Sequence, residues 1–231
     1  MCRVRFFAMT YHLAPHVSYG LLGGRAVLLD LAADRYLLLG DAETAVLAAL
    51  ASLEPPLSSP LVEKLLACGL VRTGRGAKIA PVDQSPPLMS ALEVEGDGGG
   101  VSSWEAIGSV ARARLLLRFV GLARTVWRWR TFRELCARRT SGHGGLAENG
   151  ERAAYVARGF AVARIAVPAR RLCVPDSLAL ARCLWKRGLA AEVYFGVQLD
   201  PLLAHSWVQS GSNVLSEPVN IAADYTPVFK L

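Results

Sequence analysis

Cys173, His205 and the polar cluster from Ser216 to Asn220 are the residues whose types and spacing could carry covalent chemistry. Cys173 stands just ahead of a stretch whose pattern predicts a helix. Pro175 suits a first helical turn, where its missing N–H would have no partner anyway. Leu178, Leu180, Ala181, Leu184 and Trp185 recur at helical spacing, Lys186 and Arg187 suit the negative end, and Gly188 ends the run. A thiol at the positive end of a helix is biased toward thiolate, the nucleophilic form. An imidazole can then move the proton, and a carboxylate or amide can hold the imidazole in place.

Downstream elements must bring these groups together. Residues 191–197 (AEVYFGV) predict a strand, Asp200-Pro201 a turn, and 203–209 (LAHSWVQ) a second strand with His205 and Trp207 on one face. Ser210 to Asn213 is turn chemistry, and Val214 to Glu217 returns as a third strand. The order is Cys on a helix, His on a strand, then an acid or amide. Papain-like and transglutaminase-like thiol enzymes share it. Two hairpin registers are open. If Ser210 pairs with Asn213, Ser216 and Asn220 share the face of His205 and Glu217 points away. If Ser210 pairs with Val214, Glu217 comes to the histidine's face.

The segments RLCVPDSLAL (171–180), Gly196-Val197, AHSWV (204–208) and Ser216-Glu217 resemble the lasso-peptide B proteins, leader peptidases with a transglutaminase-like fold. The resemblance implies Cys173 as nucleophile, His205 as base and Glu217 where the family usually has Asp. Ser206 stands where the family usually has Ala, a difference read as harmless. The family spacing favours the longer hairpin loop, and a carboxylate stabilises an imidazolium better than an amide can. Glu217 is therefore the expected third member, with Asn220 in reserve.

Ahead of this region, residues 1–82 predict a small unit. Gly23-Gly24 closes a hairpin between Leu21-Leu22 and AVLLDL (26–31), and RYLLL (35–39) adds a strand. Asp41 is expected to cap a helix to about Leu53, and Pro55-Pro56 to break it. Ser58 or Ser59 opens another helix to Cys68. Val71-Arg72 and Lys78-Ile79 are expected to form a wing. The run from Ala26 to Leu50 resembles the PqqD-like, winged-helix-like domain that recognises precursors of ribosomal peptides. In that domain the leader adds as a strand to a sheet edge. Carried over, the binding residues are Arg35, Tyr36, Leu37, Leu38 and Leu39, with Leu65 on the helix wall.

Residues 83–103, rich in Pro, Gly and Ser, are expected to be a flexible linker. Residues 104–231 are expected to form the transglutaminase-like peptidase domain. Within it, Trp104 to Arg139 carries nine arginines against Glu105 and Glu134, and Gly121 marks a break. A core helix pair with a solvated arginine face is preferred there over a membrane-surface helix. Thr140 to Gly150, with His143, is expected to be a loop, and Glu151 to Val167 a helix.

The whole is an α+β chain. Lysines and arginines exceed acids by seven (26 − 19), which suits an anionic partner without naming it. Five cysteines at 2, 68, 136, 173 and 183, with no ligand-like spacing and no secretory segment, suggest a reducing cytoplasm and no metal. No phosphate loop is present. The resemblance therefore implies that ATP belongs to a partner, an asparagine-synthetase-like macrolactam cyclase, and that this chain uses no cofactor. The rival readings are an acyl transferase using the same residues and a winged-helix nucleic-acid binder. Against the second, the arginines fall outside the expected recognition helix.

Overall fold

The computed structural model describes residues 10–52, 59–74, 76, 78–140 and 146–231. The chain divides into two compact units, Met1–Val82 and Asp83–Leu231, each mixing helices with sheet.

In the first unit, β1 (Tyr11–Leu13) precedes an antiparallel meander of β2 (Val17–Leu22), β3 (Arg25–Asp30) and β4 (Arg35–Leu38). Gly23 and Gly24, at φ 57° and 82°, make the two-residue turn that matches strand twist. The next turn is held by Asp30, whose Oδ1 accepts the N–H groups of Ala32 and Ala33, each at 3.1 Å. Ala26, Val27, Leu28 and Leu29 are buried, which makes β3 the centre of the sheet.

Helix α1 (Asp41–Ala51) buries Leu47 and Leu50, and α2 (Pro60–Ala67) buries Val62 and Leu65. Ser59 caps α2 by accepting the Leu61 N–H, with Pro60 at the first helical position. Two local expectations are corrected. Gly40, not Asp41, is the N-cap of α1, and Asp41 sits in the first turn, where a carboxylate suits the dipole. Among the described residues no wing pairs 71–72 with 78–79: β5 (Val71–Thr73) pairs with β1, and Ile79 is buried in the core. The helix end at Leu53, the Pro55-Pro56 break and Ser58 lie outside the described residues, as does His143.

The second unit begins with β6 (Met89–Ser90), followed by α3 (Ser103–Val120), α4 (Leu122–Thr140), α5 (Leu146–Ala163), a 3-10 turn (Arg164–Ala166) and α6 (Cys173–Lys186). Then come β7 (Glu192–Gln198), β8 (Leu203–Ser210), β9 (Asn213–Val214), α7 (Val219–Ala223) and β10 (Thr226–Lys230). The sheet order is β10-β7-β8-β9-β6, antiparallel except for β6 against β9.

Helix α6 is the hub, in contact with α3, α4, α5, β7 and β8. Leu178, Leu184 and Trp185 are buried on it, each side chain stabilising the unit by about 2 kcal/mol. The buried indoles are satisfied: Trp129 Nε1 donates to the Leu178 carbonyl and Trp185 Nε1 to that of Ala191. Gly121, at φ 82°, separates α3 from α4. Helix α5 begins by Leu146, so the loop expected to reach Gly150 is shorter. Gly150 is carried inside the helix, at a cost tolerated when packing compensates. Among the described residues no helix is long and apolar enough to cross a membrane.

The expectation of a flexible linker over 83–103 is also corrected. This stretch packs as a strap on the second unit, and its glycines serve close approach. A Cβ on Gly98 would sit 2.7 Å from the Gly159 nitrogen of α5, and Gly99 N–H donates to the Tyr155 carbonyl at 3.1 Å. Arg158 donates to the carbonyls of Asp97 and Ala91.

Candidate active site

Cys173 is the first residue of α6, with extended Leu172 as N-cap. The helix start is fixed by a reciprocal pair: the Leu172 N–H donates to Asp176 Oδ2 at 3.3 Å, and the Asp176 N–H to the Leu172 carbonyl at 3.1 Å. Asp176 Oδ1 in turn accepts from Arg164 Nε at 3.0 Å. Arg164 is 4% exposed and also donates to the carbonyls of Val167, Ala169 and Arg170. A buried guanidinium needs this full set of acceptors. It gathers the loop before α6 and so places the thiol.

His205 lies on β8 opposite Gly196 of β7. A Cβ on Gly196 would come within 2.7 Å of the Trp207 ring and 2.9 Å of Tyr225 Cβ, so only glycine lets both residues lie over that strand. The imidazole is 13° from parallel to Trp207 and 4.9 Å from the Tyr225 ring, centroid to centroid. Its Nε2 is 2.6 Å from Glu217 Oε2. With that N–H given to the carboxylate, Nδ1 is the ring nitrogen left for proton exchange with the Cys173 thiol, which lines the same cavity and acts on His205 electrostatically.

The register that delivers Glu217 is not the expected one. Ser210 pairs with Asn213 and Gln209 with Val214, so the longer loop is overturned. Glu217 reaches His205 because β9 is only two residues long. The Leu215 N–H still donates to the Val208 carbonyl, but the Val208 N–H is then taken by Ser216 Oγ at 2.9 Å. A side chain replaces the next backbone partner, the chain bends, and the alternation of faces ends there. Asn220 falls on α7 and is exposed.

Ser206 is not inert. It is 2% exposed, its hydroxyl donates to Ser177 Oγ at 3.3 Å, and Ser177 Oγ donates to the Ser206 carbonyl at 3.0 Å. Ser206 lines the cavity beside Cys173 and favours its thiolate form. Ser177 was within reach of sequence reasoning, four residues from Cys173 on the same helix face. Arg164, Asp176 and Ser206 carried no such signal.

These groups line a cavity of about 250 Å³ with Leu92, Phe160, Leu215 and Arg171 on its walls. Burial opposes ionisation of the Cys173 thiol. The hydrogen bond and charge of His205, joined by Ser206, outweigh it and hold the pKa below the ordinary thiol value. Burial likewise opposes charge on His205, but hydrogen bonds and charge from Cys173 and Glu217 push its pKa up to about 9. The arrangement suits a thiolate–imidazolium pair. Cys183, fully buried inside α6, is pushed up by burial instead, which leaves it a thiol. Among the described residues no group of three or more His, Cys, Asp and Glu could hold a metal ion.

A model of the transglutaminase-like superfamily matches residues 115–230, just over half of the chain. This chain belongs to the transglutaminase-like superfamily. The match covers Cys173, His205 and Glu217, and transglutaminase-like proteins are typically cysteine-dependent enzymes of peptidase or acyl-transfer type. Comparison with curated proteins and with solved structures returned no significant match.

In the first unit of this transglutaminase-like protein, β4 is the last strand of its sheet, paired on one side with β3. Arg35 and Leu38 are exposed, and Tyr36 and Leu37 half-buried. Leu39 and Leu65, expected at a binding groove, belong instead to the buried core, at 9% and 3% exposure. Apolar side chains in so small a unit are needed to close it.

Proposed function

We propose that this protein is a cysteine peptidase that removes the leader from a ribosomally made precursor of the lasso-peptide type. Cys173 acts as nucleophile, His205 as acid and base, and Glu217 as the group that orients His205. The line Cys173–His205–Glu217 inside one cavity carries this reading.

In the first half, the Cys173 thiolate attacks the carbonyl carbon of the scissile amide. The imidazolium of His205 gives its Nδ1 proton to the departing amine, which leaves as the amino terminus of the core. The leader remains as a thioester on sulfur. In the second half His205 takes a proton from water, hydroxide attacks the thioester, and the leader departs as an acid while the thiolate returns. Nε2–H stays on Glu217 throughout, so the ring keeps one tautomer and one orientation.

The leader is bound by the first unit as an added strand on β4. A free strand edge supplies backbone hydrogen bonds to an extended peptide, and the exposed Arg35 and Leu38 with half-buried Tyr36 supply selectivity. The new amino terminus of the core then passes to an ATP-using, asparagine-synthetase-like cyclase, the partner that the resemblance implies.

Incubation with a precursor peptide, read by mass, tests the reading. Two products are expected whose masses sum to the precursor plus one water. A product joined to an added amine instead would make the protein an acyl transferase. Leu38→Pro, which removes an N–H on the free edge of β4, should raise the KM for precursor by about tenfold with kcat unchanged. An unchanged KM would place the leader elsewhere.

A further inference from the structure

We infer that the strap from Asp83 to Gly100 is part of the active site, and that Ser90 is a positioning residue that holds Glu217 against His205. The inference rests on the role proposed above for Glu217.

Glu217 lies in no helix or strand. Residues 215–217 form a bend between β9 and α7, and on the β8 side the bend is held by the Leu215 N–H on the Val208 carbonyl and the Val208 N–H on Ser216 Oγ. A carboxylate on a bend with so little backbone support would not keep one position. Among the described residues, the backbone of the bend is held further by the strap. Ser90 Oγ donates to the Glu217 carbonyl at 2.6 Å and accepts the Leu92 N–H at 3.1 Å. One residue therefore ties the strap to the backbone of the acid itself. Ser90 is 2% exposed, so this hydroxyl has no water to turn to.

Bonds on either side complete the clamp. Before the bend, the Leu88 N–H donates to the Ser212 carbonyl and the Ala91 N–H to that of Val214, and β6 runs parallel with β9. After it, Glu93 Oε2 accepts the Val219 N–H at 3.0 Å, two residues past Glu217. The base of the strap is pinned by Gln209, fully buried, which donates to the Ser85 carbonyl and accepts from Gln84. Leu92, between the two clamping side chains, lines the active-site cavity.

Titration of His205 reads this positioning without substrate. The groups facing the ring are Cys173 from α6, Glu217 from the bend and Tyr225 ahead of β10, with Trp207 beside it on its own strand. Arg164, Arg171 and Asp176 line the same cavity. If Ser90 acts through Glu217, its loss must lower the pKa of His205 in the same direction as loss of the carboxylate. A merely structural role would lower the melting temperature and leave that pKa alone.

The experiment is NMR titration of histidine-labelled full-length protein in four forms: wild type, Glu217→Gln, Ser90→Ala and Ser90→Thr. Glu217→Gln should lower the His205 pKa by roughly one unit or more, Ser90→Ala by roughly half of that, and Ser90→Thr, which keeps a hydroxyl, by less than Ser90→Ala. If Ser90→Ala does not fold, Glu93→Ala at an exposed position serves in its place, with the same direction expected. A shift in Glu217→Gln with none in the strap variants overturns the inference and leaves the catalytic reading standing. No shift in Glu217→Gln overturns the reading on which the inference rests.

Discussion

Cys173→Ala should abolish precursor cleavage, lowering kcat by roughly 10⁴-fold or more, while Cys183→Ala keeps the wild-type rate. Removal of the nucleophile from a unit that acts together leaves only binding and the remaining electrostatics. The two cysteines share a helix and differ in what surrounds them. Cys173 is half-buried at the first position, paired with His205, and lowered in pKa. Cys183 is ten residues on, fully buried, and meets Ser109 Oγ at 3.7 Å. Its loss should cost about 1 kcal/mol of stability through the space left behind, with no effect on turnover at saturating precursor. Product masses measured over time for both variants check this. Equal rates in Cys173→Ala and wild type would remove thiol chemistry from the account.

Glu217→Gln carries the second largest expected effect, a fall in kcat of at least roughly tenfold, about 1.4 kcal/mol of transition-state stabilisation, with leader affinity unchanged. The pH profile should change with it. In the wild type, burial opposes charge on His205, but Cys173 and Glu217 together raise its pKa from the ordinary 6.5 to about 9. The sign follows from that direction. The pair's contribution from His205 is fully present below about 6.5 and is lost as pH rises through about 9. Activity that needs the imidazolium as acid should therefore fall above about 9 in the wild type and at lower pH in Glu217→Gln. Asn220→Ala should do less than Glu217→Gln in both respects, since Asn220 is an exposed residue of α7. Rates that rank the other way would give the orienting role to Asn220.

Much of the site could be read from the sequence because its parts sit on strongly patterned elements. The helix after Cys173 and the strand through His205 have clear apolar periods, and their ends carry Gly188 and Asp200-Pro201. Glu217 was reached by a wrong route. The family spacing favours the longer loop, and with strict alternation only that loop brings Glu217 to the histidine, whereas the ladder stops where Ser216 Oγ takes the Val208 N–H. A side chain in a backbone's place leaves no periodic trace.

The strap was misread for a related reason. Pro, Gly and Ser composition reports the absence of a local apolar pattern, and a segment held by long-range backbone hydrogen bonds has none to show. Gly98 lets the strap approach Gly159 closely, and Gly99 leaves room for the Tyr155 side chain. Leu39 and Leu65 failed in the opposite sense, as apolar residues assigned to a groove when the small first unit needed them for its core.

The central claim is that Cys173 and His205 form a thiolate–imidazolium pair. The most direct test is the rate of Cys173 alkylation by iodoacetamide across pH, followed by peptide mass mapping. The account expects Cys173 to be modified ahead of the other cysteines, at a rate that rises with pH below the range of a free thiol, with cleavage lost in step. A rate that climbs only through about 8.5, as for a free thiol, or full modification of Cys173 with cleavage unchanged, would contradict it.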